Sequence, residues 1–191
     1  MSAERNETEA VIEHELRVAA SPDSVFDYFI DPAKMGQWMG EATLDPRPGG
    51  VCRVSPCGHA TMLGEYVEID RPRKVAFTWG WEEVLFATPP QSTLVEVSLT
   101  PDGADTIVRL AHRRLKPGAV AGHRVGWDHY LARLALAASG EDPGIDTWTD
   151  FDRNVEDLRA AGVFRAPELL LISLLGARRA ARLQTVARRF L

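Results

Sequence analysis

From Val11 to Val18 the chain alternates: Ile12, His14, Leu16 and Val18 fall on one side, Glu13, Glu15 and Arg17 on the other. That is the period of a half-buried strand. Ser21-Pro22-Asp23 then supplies an N-cap, a proline at the first helical position and an early acid, which predicts a short helix carrying Val25, Phe26 and Phe29 on its apolar side. Asp31-Pro32 opens a second short helix through Met35 and Trp38. Two short strands are expected between Thr43 and Val54, broken by Pro46, Pro48, Gly49 and Gly50. Gly64–Ile69 and Val75–Trp81 form the next pair, with Val75, Phe77, Trp79 and Trp81 on one side. Thr93–Leu99 and Thr106–His112 complete the series around a turn at Pro101-Asp102-Gly103.

The clearest helical signal runs from Val120 to Ala138. Apolar residues recur there at Trp127, Tyr130, Leu131, Leu134, Ala135 and Ala138, spacings of three and four that make one stripe. Asp128, His129 and Arg133 fall off the stripe and are expected to meet water, and Gly140 followed by Pro143 marks the stop. A strand, two small helices, about six strands at hairpin spacing and one long helix read as an α+β fold with an antiparallel sheet. Wrapping a curved sheet on the long helix would bury every apolar face.

Composition bounds the class without changing this picture. The 191 residues are 45% hydrophobic and 26% charged, as in globular proteins, and no 18-residue apolar run predicts a membrane span. The formal charge of −5 argues against nucleic-acid binding. Its distribution is uneven, since Arg165 to Leu191 holds six arginines and one acid, a net +5 that leaves about −10 on residues 1–164. The chain therefore divides into a polar tail (1–10), a main domain (11–140), a linker with a short helix (141–166) and a basic amphipathic helix (167–191). The first nine residues lack the apolar run of a secretory signal, so a cytoplasmic setting is expected, and Cys52 and Cys57 are read as free thiols.

Four stretches carry a family resemblance: Ala20-Ser21-Pro22-Asp23-Ser24-Val25-Phe26 with Asp31-Pro32 and Trp38; Pro48-Gly49-Gly50; Gly64 through Glu68, Asp70, Pro72 and Val75-Ala76-Phe77-Thr78-Trp79; and Leu110-Ala111-His112 with Gly126-Trp127. In this order, over residues 11–139, they resemble the START-like, or SRPBCC, superfamily. Within it the chain is most similar to homologues of the activator of the ninety-kilodalton heat-shock protein ATPase. The resemblance implies a helix-grip fold, with a curved antiparallel sheet holding a long helix and a cavity between them. It also implies one of three functions: binding of an apolar or amphipathic molecule, activation of a chaperone, or cyclase or dehydratase chemistry. A fold of this kind does not choose among them.

The leading expectation is a binding protein for a small apolar ligand, without a cofactor. Its expected contacts are Trp38, Phe77, Trp79, Trp81, His112, Trp127, Tyr130 and Leu134, because aromatic side chains bury large apolar areas yet keep a polar edge to orient a ligand. These residues would equally serve as core packing. His14 and His112 are weak catalytic candidates: both share a strand face with apolar neighbours, and paired imidazoles can exchange protons near neutral pH. A buried histidine held by one hydrogen bond is the commoner case. Cys52, Cys57 and His59 are one ligand short of a zinc site, so no metal is expected.

Residues 167–191 depart from the family pattern. Leu169, Gly176, Leu183 and Phe190 recur every seven residues, and Arg178, Arg179, Arg182, Arg188 and Arg189 charge the second half. Three uses compete: packing on the chain's own domain or on a second copy in a homodimer, docking on a membrane surface, or contact of the arginines with an acidic protein or nucleic acid.

Overall fold

The computed structural model describes residues 10–58, 60–83 and 88–150, together with 156, 159, 160 and 162. Residues 1–146 form one compact unit and 147–191 a second. In the first, seven strands make one antiparallel sheet: β1 (Ala10–Val18), β2 (Glu41–Leu44), β3 (Val51–Ser55), β4 (Met62–Asp70), β5 (Lys74–Trp79), β6 (Thr93–Asp102) and β7 (Asp105–Leu115). Their order across the sheet is β1-β7-β6-β5-β4-β3-β2, so the N-terminal strand closes against the C-terminal one. Helices α1 (Pro22–Asp27) and α2 (Pro32–Trp38) bridge β1 to β2, and the long helix α3 (Val120–Ala138) follows β7. This is the helix-grip α+β arrangement.

The local chemistry explains the small elements. The Ser21 hydroxyl accepts from the Ser24 amide at the start of α1, and the Asp31 carboxylate accepts from the amides of Ala33 and Lys34 at the start of α2, satisfying donors that have no partner within the helix. Gly64 sits in β4 where a Cβ would run into the Thr78 carbonyl of β5, so only a residue without a side chain fits that close crossing. Gly140 ends α3 at φ +83°, the left-handed stop that glycine adopts without steric cost.

Register carries the inward pattern across the sheet. Ile12 faces His112, His14 faces Leu110 and Leu16 faces Val108, while Val95 lies between His112 of β7 and Phe77 of β5. Directly paired residues share a face, so these side chains all lie beneath α3. The helix buries Trp127, Tyr130, Leu131, Leu134 and Ala137, at about 1.5–3 kcal/mol for each large side chain removed from water.

Three expectations change. The buried stripe ends on Ala137 rather than Ala135 and Ala138, because the turn toward β1 and α2 sets which side of the last helical turn is covered. The turn placed at Pro101-Asp102-Gly103 tightens to Gly103-Ala104: β6 runs through Asp102, which pairs with Asp105 across that two-residue link. Finally, Arg133 and His129 do not face water. The Arg133 guanidinium donates to the carbonyls of Trp38 (3.1 Å), Pro143 (3.2 Å) and Gly144 (3.1 Å), and His129 Nε2 lies 2.9 Å from Asp146 Oδ1. The segment Pro143–Asp146, expected as linker, lies over the polar side of the helix.

In the second unit, Thr147–Thr149 forms a short 3-10 turn, Glu156, Arg159 and Ala160 are helical, and Gly162 is left-handed at φ +73°. The helix expected over 167–191, and with it any homodimer contact through those residues, lies outside the described residues.

Candidate ligand-binding site

The inner ends of β5, β6 and β7 meet the first half of α3 in a nest of rings. Trp79 of β5 lies 5.0 Å from Trp127 of α3 and 5.5 Å from Trp81, ring centre to ring centre. It lies 5.9 Å from His112 of β7. His112 and His123 meet edge to face at 5.0 Å. Trp81 has left β5 and forms an isolated bridge with Met62, which brings its indole to the helix instead of continuing the strand. Such offset and edge-on contacts suit aromatic quadrupoles.

Polar atoms in the nest are assigned by one fact, that an indole N–H only donates. Trp127 Nε1 donates to His112 Nδ1 at 3.0 Å, so that nitrogen carries no proton. His112 Nε2 therefore holds the ring's hydrogen and donates to Thr93 Oγ1 at 2.7 Å, and the Thr93 hydroxyl donates in turn to the Trp79 carbonyl at 2.9 Å. A second relay runs beside it. Trp81 Nε1 donates to His123 Nε2 at 3.1 Å, and His123 Nδ1 donates to the Ala119 carbonyl at 2.8 Å. Both imidazoles are thus held neutral, as opposite tautomers. Burial pushes His112 down to about 2 and also lowers His123, against the raising effect of its Ala119 bond.

One polar atom is left over. Among the described residues the Trp79 indole N–H has no hydrogen-bond partner, although it is buried on a residue only 4% exposed. A buried donor left unpaired costs about 1–3 kcal/mol.

The structure brings Phe77, Trp79, Trp81, His112 and Trp127 together and places the other expected contacts elsewhere. Phe77 borders the nest at 6.4 Å from Trp79 and continues to Tyr66 at 6.2 Å. Trp38 is the last residue of α2, donating to the Tyr28 carbonyl at 3.0 Å and packing edge-on against Phe29. Leu134 is fully buried two turns further along α3. Tyr130 turns toward His129, 4.8 Å away between ring centres, and burial together with the Asp146 carboxylate raises its hydroxyl far above the usual range.

His14 and His112 share the inner sheet face on adjacent strands but take separate partners. His14 Nδ1 lies 3.4 Å from Asp128 Oδ1, whereas both nitrogens of His112 are committed to Trp127 and Thr93. His112 consequently has no nitrogen free to exchange a proton with a ligand. Cys52 is a buried thiol pushed up to about 12 by that burial, Cys57 is also buried and in no disulfide, and His59 lies outside the described residues. Among the described residues no three metal-ligating side chains converge, and no helix is long and apolar enough to cross a membrane.

Two residues of the nest escaped the sequence reading. His123 stands four positions before Trp127, one turn back along the same stripe. Thr93 is the polar first member of the inward series Thr93, Val95, Val97 and Leu99. Both signals were local and visible, but the partners that give them meaning come from other strands.

Residues 19–138 match the model of the family described as activator of Hsp90 ATPase homolog 1-like protein. The chain belongs to this family. Within the fold that the family shares, the solution structure of an AHSA1-like protein from Rhizobium etli is 40% identical, with 73% of this chain covering 88% of that one at a TM-score of 0.58. CalU16 from Micromonospora echinospora is 24% identical over 87% of both chains, with a TM-score of 0.63. The Aha1 dimer from Colwellia psychrerythraea is 16% identical, with 68% of this chain covering 96% of that one at a TM-score of 0.58. No curated protein matches the chain.

Proposed function

We propose that this family member binds a small apolar or amphipathic molecule between the sheet and α3, at the Trp79–Trp81–Trp127 nest. The observation that carries the reading is the Trp79 indole N–H, a donor kept from water and given no acceptor by the described residues. A ligand that accepts from it recovers the free energy an unpaired donor forgoes, while the surrounding rings offer the apolar contact area of a small-molecule site. The helix-grip fold and the family membership support the same reading.

Five tryptophans make the test direct, because each gives one indole N–H resonance in an NMR spectrum of the labelled protein. A library of apolar and amphipathic molecules should yield saturable shifts of Trp79, Trp81 and Trp127, with Trp38 unmoved, and native mass spectrometry of protein purified from its source should show a retained small molecule. Neither a retained molecule nor a library member that moves any nest indole would refute the reading. The family match favours a second one, stimulation of a chaperone ATPase, for which an ATPase assay with the chaperone and full chain is decisive: no stimulation removes it.

A further inference from the structure

The polar inventory of the nest restricts what can occupy it. Trp81, Trp127, Thr93, His112 and His123 have their hydrogen-bonding groups committed inside the nest. Among the described residues, none of the ring contacts and hydrogen bonds that build it involves a lysine, arginine, aspartate or glutamate. We propose that the nest selects uncharged molecules bearing one carbonyl-type acceptor, and that Trp79 is the specificity-determining residue; this rests on the ligand-binding reading above.

Charge is excluded by the way the histidines are held. Accepting a proton on His112 would place an N–H on Nδ1, facing the N–H of Trp127, and protonated His123 would face Trp81 in the same way. Each indole can only donate, so each imidazole would lose its bond on becoming a cation. The nest therefore cannot charge itself to receive an anion. A carboxylate has two oxygens seeking donors and would find one, leaving buried charge unpaired. A cation could approach the ring faces, but it would meet an N–H at the one unsatisfied position and edge-on rings around it.

Four probes of one shape test this: 2-acetylnaphthalene, 2-ethylnaphthalene, 2-naphthoate and (2-naphthylmethyl)trimethylammonium, titrated into the full chain with calorimetry and indole N–H spectra. The ketone should bind about three- to tenfold tighter than the hydrocarbon, the worth of one hydrogen bond, and about a hundredfold tighter than the naphthoate. Only the ketone should move the Trp79 N–H proton downfield. Trp79→Phe should keep hydrocarbon binding and lose the ketone's advantage; the downfield shift in the unaltered protein tests the same point should that variant not fold. Equal or tighter binding of the naphthoate or the ammonium, or a ketone advantage that survives Trp79→Phe, overturns the proposal while leaving ligand binding intact. Failure of all four probes to move any nest indole overturns the proposal as well, and the ligand-binding reading then stands or falls on the library and the source-purified protein.

Discussion

Thr93→Val is the sharpest test of the relay beneath α3. Valine matches threonine in shape, so the change deletes a hydroxyl without opening a cavity. It removes the acceptor of His112 Nε2–H and the donor to the Trp79 carbonyl, bonds of 2.7 and 2.9 Å. His112 is fully buried, so its stranded N–H costs about 1–3 kcal/mol, and the lost bond to the Trp79 carbonyl adds about 1 kcal/mol. Switching tautomer gives no relief, because it would turn Nδ1–H against the Trp127 N–H. The expected loss is about 2–4 kcal/mol, or about 5–15 °C in Tm for a chain of this length. Urea unfolding at pH 7.5, followed by tryptophan fluorescence, measures it. Thr93→Ser keeps the hydroxyl and should stay within about 1 kcal/mol of the parent, the residual cost being the deleted methyl. If Thr93→Val unfolds within about 0.5 kcal/mol of the parent while Thr93→Ser is worse, methyl packing matters at this position and the relay does not.

Two further outcomes follow from named groups. His112 and His123, and His14 on the same sheet face, all have lowered pKa values caused first by burial. Below the unfolded value near 6.5 the unfolded chain takes up protons that the native state refuses, so stability is full above that pH and falls beneath it, by about 1.4 kcal/mol per pH unit for His112. The paired carboxylates Asp27 and Glu96, whose values are lowered, act only further into acid; a flat urea midpoint between pH 7.5 and 5 would contradict the locked neutral rings. Arg133→Lys should leave the sheet intact but speed hydrogen exchange in residues 142–146 roughly tenfold, since an ammonium cannot replace a planar fork that spans three carbonyls; unchanged exchange there would show that the segment holds itself.

Periodicity made the elements of this fold readable, and the reasons are physical. Alternation in β1 and the stripe from Trp127 to Leu134 each report one buried face, and a face survives in the sequence whatever lies opposite. The family-bearing stretches supplied the order in which these faces close. What could not be read was pairing. His14 and His112 do share a face on neighbouring strands, but whether a histidine meets an aspartate, an indole or a threonine depends on cross-strand register and on where a helix lands. The polar side of α3 was misread for the same reason: His129 and Arg133 look solvent-facing until Pro143–Asp146, beyond the helix stop, returns over them. Trp81 looked like one more strand residue because alternation does not show where a ladder ends.

The bonds of Arg133 to Pro143 and Gly144 carry a different lesson, about tolerance to change. The guanidinium grips main-chain oxygens, which every amino acid presents alike. Pro143 can change unnoticed so long as the chain keeps its path, whereas Gly144, left-handed at φ +71°, resists any side chain, and a single inserted or deleted residue between Gly140 and Asp146 shifts the carbonyls out of reach. The helix thus measures the length of that crossing everywhere and its spelling only in places, at Gly144 for its backbone and at Asp146 for the carboxylate that meets His129.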